Sequence, residues 1–166
     1  MNIIAVVGTG SGCGKTTVVC RILRAIPGLG AVKISPREGE SLVEWGPGAP
    51  GKDTELFAGS GADPVARIVG PRAGVPPSWE LIKDRFARCR GVVFEGACAL
   101  DLDEERCVVF VVGTSGMADR EERNREIAGK ADVILERSSP FDEAALLRAV
   151  RAFLAAPEVK GDRAGS

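Results

Sequence analysis

Residues 6–19, VVGTGSGCGKTTVV, place four glycines, one lysine and three threonines between two apolar runs. Glycine has no Cβ, so the backbone can curl until several N–H groups converge on one point. A helix that begins at Lys15 would add the positive end of its dipole at that point. The Lys15 ammonium and the Thr16 hydroxyl complete a set of groups that suits a polyphosphate with Mg²⁺. The stretch therefore predicts a loop that binds a nucleoside triphosphate.

The spacing of this loop differs by one residue from the common glycine-lysine motif. Counting back from Gly14, the first motif position falls on Thr9, so Gly8 stands one residue early. Lys15 is also a candidate catalytic residue, and its ammonium is expected to face solvent when no ligand is bound. A glycine-rich turn with a coincidental lysine is the alternative. The candidate nucleotide-binding residues are Gly10, Ser11, Gly12, Cys13, Gly14, Lys15, Thr16 and Thr17.

Short apolar runs and helical patterns alternate along the chain, and they must position this loop. Runs that are apolar throughout are typical of parallel strands buried on both faces. The alternation predicts an α/β fold with a doubly wound, mostly parallel sheet flanked by helices. The predicted strands are residues 3–7, 30–34, 65–69, 92–94, 108–112 and 133–135.

Apolar stripes at helical spacing predict helices over residues 15–26, from Trp79 to Phe86, and over 141–154. Ser78 is the predicted N-cap of the second of these helices, after two prolines. Residues 35–51 are rich in glycine and proline, so they are predicted to form a long loop. Trp45 within that loop could cover a ligand or pack back onto the domain. The charged run 119–125 is expected to be the solvated face of a helix.

Composition limits the range of partners. The 166 residues predict one domain over 1–155 and a flexible tail over 156–166. Lysine and arginine (22) nearly balance aspartate and glutamate (23), so no nucleic-acid or membrane partner is expected. Five cysteines without a C-x-x-C pair, in a chain without histidine, disfavour a structural zinc site. No apolar run suggests a signal peptide or a membrane span, which predicts a cytoplasmic protein.

Four segments resemble known families. GTGSGCGKTT, residues 8–17, closely resembles the phosphate loops of dethiobiotin synthetase and the cobyrinic acid amidating synthetases, which belong to the SIMIBI branch of P-loop proteins. AVKISP (31–36), GKDTELFAGSGADPVARIV (51–69) and VVFEGA (92–97) are similar in order and distance to segments of the molybdopterin-guanine dinucleotide biosynthesis protein B (MobB) family. Together the four segments cover about a quarter of the chain. The resemblance implies a P-loop NTPase fold.

The resemblance also extends the predicted site beyond the loop. It places Lys33 near the nucleotide phosphates as a candidate catalytic residue, although a solvated strand end is the alternative. Glu95 follows buried apolar residues at the end of a strand, where parallel sheets open toward a ligand, and Mg²⁺ would be a natural partner for it. A salt-bridged strand end is the alternative for Glu95, and a helix N-cap is the alternative for Asp53. The predicted metal ligands are Thr16, Asp53 and Glu95, and the candidate catalytic residues are Lys15, Lys33 and Glu95.

The MobB resemblance implies a protein that binds GTP or ATP with Mg²⁺, hydrolyses it weakly and assists molybdenum cofactor biosynthesis. A homodimer and a molybdopterin nucleotidyltransferase are the implied partners. Two other functions remain open. One is an ATP-dependent ligase of the dethiobiotin synthetase type, which would need a substrate pocket near Lys33 and residues 35–51. The other is a nucleotide-gated regulatory or metal-centre chaperone module, in which residues 35–51 would act as a switch.

Overall fold

The structure is a computed structural model, and the residues that it describes are 1–113, 121–136 and 141–156. Most of the predicted tail and the first two residues of the charged run lie outside these ranges. The described part of the chain forms one seven-stranded sheet in the order β3-β4-β2-β5-β1-β6-β7. The strands are β1 (Ile3–Gly8), β2 (Leu29–Pro36), β3 (Leu42–Trp45), β4 (Val65–Gly70), β5 (Gly91–Glu95), β6 (Arg106–Val112) and β7 (Val133–Glu136).

All neighbouring strands are parallel except β3 and β4. The six strands predicted from apolar runs are confirmed. Alternate residues of the central strand β1 enter different cores, as the two-residue period of a strand requires. Ile4 and Val6 join the core that contains the buried residues of the first and last helices, and Ile3 and Ala5 join the core on the other face. Helices therefore cover both faces, and the predicted doubly wound α/β sheet is observed.

Five α-helices lie among the described residues: α1 (Lys15–Ala25), α2 (Asp53–Gly59), α3 (Val75–Ile82), α4 (Glu121–Gly129) and α5 (Glu143–Ala155). The predicted N-cap at Ser78 is wrong, because α3 begins three residues earlier and contains both prolines in its first turn. Proline has a φ that suits a first turn, and its missing N–H is no loss there. The Ser78 hydroxyl instead donates a hydrogen bond to the carbonyl oxygen of Gly74, at 2.7 Å. A 3₁₀ turn, Lys83–Phe86, continues the predicted apolar stripe.

The prediction of an unbroken loop over residues 35–51 is wrong in part, because β3 lies within it. Leu42 is in register with Val69, and Trp45 is in register with Ala66. A four-residue strand among glycines and prolines has no sustained period, so only its pairing with β4 identifies it. The Trp45 ring stacks on Phe86 at 6.0 Å, and the Arg85 guanidinium lies 4.4 Å from its centre. Trp45 thus packs back onto the domain, which was one of the two predicted roles of this side chain.

The topology brings the ends of three neighbouring strands to one place. Strands β2, β5 and β1 are consecutive in the sheet and parallel. Glu95, the last residue of β5, is in register with Lys33 of β2 and with Val6 of β1. The loop that leaves β1 at Gly8 leads directly into α1. The carboxyl ends of these strands therefore meet beside the glycine-rich stretch. None of the helices in residues 1–113, 121–136 and 141–156 has the length and apolar character that crossing a bilayer requires.

We predict that two neighbouring residues of α3 differ sharply in their contribution to stability. Ile82 is 7% exposed and packs in the core, whereas Leu81 is 85% exposed. Ile82→Ala should lower the free energy of unfolding by about 2–4 kcal/mol through lost burial and the cavity left behind. Leu81→Ala, the matched control, should change it by less than about 0.5 kcal/mol. Urea unfolding followed by circular dichroism measures both. Equal losses would show that the apolar stripe is not the buried face.

Candidate functional site

The glycine-rich loop, defined here as Gly8–Gly14, turns from β1 into α1. Gly12 and Gly14 have φ values of 72° and 105°, a left-handed conformation that favours glycine. Gly14 is the N-cap residue of α1, and no side chain caps this helix terminus. The first hydrogen bond of the helix runs from the Val18 N–H to the Gly14 carbonyl oxygen. The amides of residues 15–17 consequently have no acceptor within the helix, so they can bind an anion.

Thr9 and Cys13 anchor the glycine-rich loop to the sheet. Thr9 is 1% exposed, and its N–H donates to the Val111 carbonyl oxygen at 3.1 Å. Its hydroxyl accepts a hydrogen bond from the Gly113 N–H at 3.0 Å. A Cβ at Gly8 would lie 2.5 Å from the Cys13 sulfur, so only glycine fits there. The sequence assigned Thr9 only a motif position. Its buried hydroxyl is the feature that the sequence reasoning missed.

The remaining predicted residues of the loop and the first turn of α1 surround the same point. Lys15 departs from its expected position, because its ammonium donates to the Gly10 carbonyl oxygen at 2.5 Å rather than facing solvent. Its stem lies against Gly8, where a Cβ would be 3.2 Å from the Lys15 Cγ atom. The loop carbonyl gives the ammonium an acceptor that the sequence did not reveal. Ser11, Gly12 and Thr17 are exposed, Cys13 is buried, and Gly10, Gly14, Lys15 and Thr16 are half-buried.

Four predicted residues from four different elements form one polar cluster beside the loop. The Lys33 ammonium lies 2.5 Å from Glu95 Oε1 and 2.7 Å from Asp53 Oδ2. The Thr16 hydroxyl lies 3.1 Å from Asp53 Oδ1 and 3.0 Å from Glu95 Oε2. A hydroxyl has one proton, so it donates to one carboxylate at a time. Thr16, Lys33, Asp53 and Glu95 are called the four-residue cluster below.

The strand period explains why these side chains meet. Val93 and Ala31 belong to the core beneath α1, so Glu95 and Lys33, two residues further along their strands, point to the same face. Thr16 lies in the first turn of α1 on that face. Asp53 is the first residue of α2, whose Phe57 packs in the same core. The sheet register and two helix starts therefore assemble the cluster.

Burial makes the pairing within the cluster necessary. Glu95 is 2% exposed, and a buried carboxylate is costly unless it is paired with a cation and hydrogen-bonded. Burial acts to lower the pKa of Lys33, but the charge of Glu95 and the contacts with Asp53 outweigh it, so the pKa is raised above 10.5. Burial acts to raise the pKa of Asp53, but hydrogen bonds and charge from Lys33 outweigh it, so that pKa lies below 3.8. Both groups are therefore charged at neutral pH.

The contacts of Asp53, Lys33 and Glu95 decide between the site role and the structural alternative predicted for each. The N-cap alternative for Asp53 is wrong, because Lys52 occupies the N-cap position and the Asp53 carboxylate faces Lys33 and Thr16. The solvated-end alternative for Lys33 is wrong, because its side chain is only 19% exposed and is paired twice. Glu95 does end its strand in a salt bridge, as its alternative held.

The donor atoms of the cluster fit a hard dication. Thr16, Asp53 and Glu95 offer a hydroxyl and carboxylate oxygens, the ligand atoms that Mg²⁺ prefers. The two carboxylates already attract one cation, the Lys33 ammonium. No group of three or more acidic, cysteine or histidine side chains that could hold a metal occurs within the described ranges. Mg²⁺ at this cluster would accordingly take its other ligands from water or from the phosphates of a nucleotide.

One cleft borders the glycine-rich loop, and a second cleft borders the four-residue cluster. The loop cleft, about 400 Å³ in volume, lies between the start of α1 and the end of β7. Arg21 on its wall forms an ion pair with Glu143 at 3.0 Å and lies 4.2 Å from the centre of the Phe141 ring. The lysine cleft, about 370 Å³ in volume, shares two residues with the cluster. Its lining residues are Lys33, Ser35, Glu44, Gly48, Ala49, Lys52, Asp53, Thr54 and Arg67.

Comparisons with known proteins identified no relative of this chain. No protein-family model matches the chain, and no curated protein or solved structure matches it either. The resemblance to the MobB family therefore depends on the four motif segments alone, and it stays a prediction.

We predict that loss of the Lys33 charge destabilises the fold. Lys33→Met keeps most of the side-chain volume but leaves the buried Glu95 carboxylate without its ammonium. The free energy of unfolding at pH 7 should fall by about 3 kcal/mol, the lower end for a broken buried ion pair, because Lys33 is partly exposed. Urea unfolding measures the change. Lys83→Met, which removes a partly exposed surface lysine paired with Glu80, is the control and should leave stability unchanged. An equally small effect at Lys33 would contradict the assigned pairing.

The pKa of Asp53 predicts how its contribution depends on pH. A carboxyl whose pKa is lowered by folding stabilises the protein above its ordinary pKa, 3.8, and loses that contribution as the pH falls through the lowered value. The difference in unfolding free energy between wild type and Asp53→Asn should thus stay constant between about pH 5 and pH 9. This difference in unfolding free energy should disappear in strong acid. It should also become smaller as Lys33 deprotonates above pH 10.5. Urea unfolding across this pH range tests it, and a difference that grows in acid would reverse the sign.

Proposed function

We propose that this protein binds a nucleoside triphosphate together with Mg²⁺ at the glycine-rich loop and hydrolyses it slowly. One observation carries the proposal. Thr16 stands in the first turn after the loop, and its hydroxyl lies within 3.1 Å of both Asp53 and Glu95. An anion site and a set of oxygen ligands for a dication thus converge on one residue. A Mg²⁺-bound triphosphate requires that combination.

The phosphate end of the nucleotide would bind the free amides at the start of α1. Lys15 is already held within the loop by the Gly10 carbonyl oxygen. A phosphate oxygen carries more negative charge than a carbonyl oxygen, so it forms the stronger hydrogen bond with an ammonium. Lys15 would therefore exchange its loop acceptor for the terminal phosphates with a short movement of its head group.

The metal and Lys33 would balance the charge at the other end of the phosphates. Thr16, Asp53 and Glu95 would hold Mg²⁺, which neutralises the charge of the phosphate oxygens when bound. Lys33 lies beside the same carboxylates, where its ammonium can stabilise the terminal phosphate. Both carboxylates of the cluster are committed to these cations. Neither is left to activate a water molecule, which supports slow hydrolysis.

The loop cleft would receive the nucleoside. It borders Gly12, Gly14 and Thr17 of the phosphate-binding stretch, and Val111, Leu135 and Phe141 give it an apolar wall. An apolar wall suits the faces of a purine base. These three apolar side chains do not distinguish adenine from guanine, so the proposal covers ATP and GTP alike.

The biological role follows only from the resemblance. Similarity to the MobB family supports membership of the P-loop NTPase class and an accessory role in molybdenum cofactor biosynthesis. In that role the protein would be a cytoplasmic homodimer that acts beside a nucleotidyltransferase. The nucleotide-gated alternative has a structural cost: β3 is paired with β4, so a switch over residues 35–51 would have to move around or break that pairing. The ligase alternative needs a second pocket near Lys33, and the lysine cleft lies there.

We predict that Lys15→Met loses most of its affinity for ATP and GTP in the presence of Mg²⁺. Methionine keeps the stem that packs against Gly8 and removes only the charge, so the fold should be retained. The loss should exceed about tenfold, because one charge-assisted contact to phosphate disappears. Isothermal titration calorimetry measures it. Lys130→Met, in an exposed ion pair just after the end of α4, is the matched control and should bind as wild type does.

Chelation of Mg²⁺ should weaken nucleotide binding by the wild type, because the Asp53 and Glu95 carboxylates would then face the phosphates with only Lys33 between them. Wild-type affinity in Lys15→Met, or no heat of binding for either nucleotide in the wild type, would remove the proposed function.

A further inference from the structure

We infer that the Lys33 ammonium competes with Mg²⁺ for the Asp53 and Glu95 carboxylates, and that it gives them up when a triphosphate offers it a phosphate oxygen. Mg²⁺ alone would then bind weakly, and Mg²⁺ and nucleotide would strengthen each other's binding. The transfer of the ammonium to a phosphate rests on the proposed function. The competition with Mg²⁺ rests on the contacts of the four-residue cluster alone.

Lys33 contacts the atoms that a dication would need. Its ammonium lies 2.5 Å from Glu95 Oε1 and 2.7 Å from Asp53 Oδ2, so it occupies one oxygen of each carboxylate. The second oxygen of each carboxylate, Glu95 Oε2 and Asp53 Oδ1, lies within 3.1 Å of the Thr16 hydroxyl. A dication that binds both carboxylates therefore has to share them with the ammonium or replace it.

The charges of the cluster make sharing unfavourable. One ammonium beside two carboxylates leaves the cluster with a net charge of minus one. A dication added beside the ammonium would change the net charge to plus one and would place two cations on the same pair of carboxylates. The Glu95 side chain is 2% exposed and that of Lys33 is 19% exposed, so little water is present to screen the repulsion. Replacement of the ammonium is therefore favoured over sharing.

Displacement of the ammonium is costly unless another cation replaces it and another anion receives it. A buried carboxylate such as Glu95 is destabilising when its partner is removed. With Mg²⁺ alone, the carboxylates would gain a cation but the Lys33 ammonium would lose its anions. With a triphosphate as well, the ammonium would donate its hydrogen bonds to phosphate oxygens instead. Each ligand thereby favours binding of the other, and such coupling is reciprocal.

The Lys33 side chain can make this exchange without a change in the sheet. Its ammonium is carried by a flexible four-carbon stem, and the lysine cleft, about 370 Å³ in volume, lies beside it. An ammonium has three N–H donors, and the contacts with Glu95 and Asp53 use two of them. The third donor can contact a phosphate before the other two are released.

Metal binding without nucleotide tests the competition directly. Mn²⁺ prefers the same oxygen ligands as Mg²⁺, and electron paramagnetic resonance measures the free ion. Lys33→Met should bind Mn²⁺ at least about tenfold more tightly than wild type, because its carboxylates have lost their internal cation. Lys52→Met is the matched control, because Lys52 lines the lysine cleft while Asp53 and Glu95 form their ion pairs with Lys33. It should change the affinity by less than about twofold.

Two further measurements locate the metal and allow for a loss of stability. Adding Asp53→Asn to Lys33→Met should remove the gain in Mn²⁺ affinity, because a carboxylate ligand is lost. MgCl₂ at about ten times the dissociation constant of Lys33→Met should raise the melting temperature of this variant by about 3–6 °C and that of wild type by less than about 2 °C. If Lys33→Met is unfolded in chelator, MgCl₂ should restore its fold.

Calorimetry with ATP and GTP tests the transfer of the ammonium to a phosphate. The factor by which Mg²⁺ raises nucleotide affinity should be about tenfold smaller in Lys33→Met than in wild type, since the coupling is reciprocal. Formation of the Mg²⁺–nucleotide complex in solution is the same for both proteins, so it cancels from this comparison. An equal factor in the two proteins would contradict the transfer.

Four results would overturn the competition itself: equal Mn²⁺ affinity in wild type and Lys33→Met, an equal gain in Lys52→Met, a gain that survives Asp53→Asn, or a Lys33→Met chain that stays unfolded with MgCl₂. Failure of the proposed function looks different. If wild type binds neither ATP nor GTP while Lys33→Met still gains Mn²⁺ affinity, the competition with Mg²⁺ stands and the proposed function is refuted. Nucleotide binding by wild type together with equal Mn²⁺ affinities refutes only the inference.

Discussion

The pairing of Glu95 with Lys33 is the interaction on which the rest of the site depends. A carboxylate that is 2% exposed at the end of a central strand needs a cation, and the neighbouring strand supplies one at 2.5 Å. The register of β2 against β5 meets that requirement and places the ammonium where it also contacts Asp53. The start of α2 is thereby tied to the centre of the sheet. A charged site is thus built into the supporting sheet itself.

Parallel topology and this ion pair reinforce each other. Parallel strands end at one edge of the sheet, so residues that are distant in sequence, such as Thr16, Lys33 and Glu95, meet without any long excursion of the chain. The central strands contribute apolar residues to both cores, which leaves polar residues only at their carboxyl ends. Because both faces of the central strands are buried, their charged side chains lie together at the carboxyl-terminal edge of the sheet. Fold and site are therefore consequences of one arrangement.

Much of this arrangement could be predicted from the sequence, because local patterns determine it. The buried strands have continuous apolar runs, and the glycine-rich loop lies between a strand and a helix, so the local sequence pattern predicts both. The misses have non-local causes. β3 depends on pairing with β4, and the position of the Lys15 ammonium depends on a backbone carbonyl oxygen. The alignment of Glu44, Arg67, Lys33 and Glu95 depends on the register of four neighbouring strands. A single sequence contains no signal for register, so the position of Arg67 between Lys33 and Glu44 could not be predicted.

The packing around Cys13 has an evolutionary consequence. Its sulfur fills the space that a side chain at position 8 would need, and its Cβ lies 2.7 Å from where a side chain at Gly113 would begin. The sizes of residues 8, 13 and 113 are therefore not independent: their combined volume is limited by the gap between the loop and β6. A smaller side chain in place of the thiol would not make room for alanine at either position, because a Cβ at Gly113 meets the Cβ and Cα of residue 13 and a Cβ at Gly8 also lies 2.9 Å from the Val111 carbonyl oxygen. Glycine at both positions 8 and 113 should therefore be kept wherever this packing is inherited, and it would distinguish true descendants of the fold from chains that share only a run of glycines.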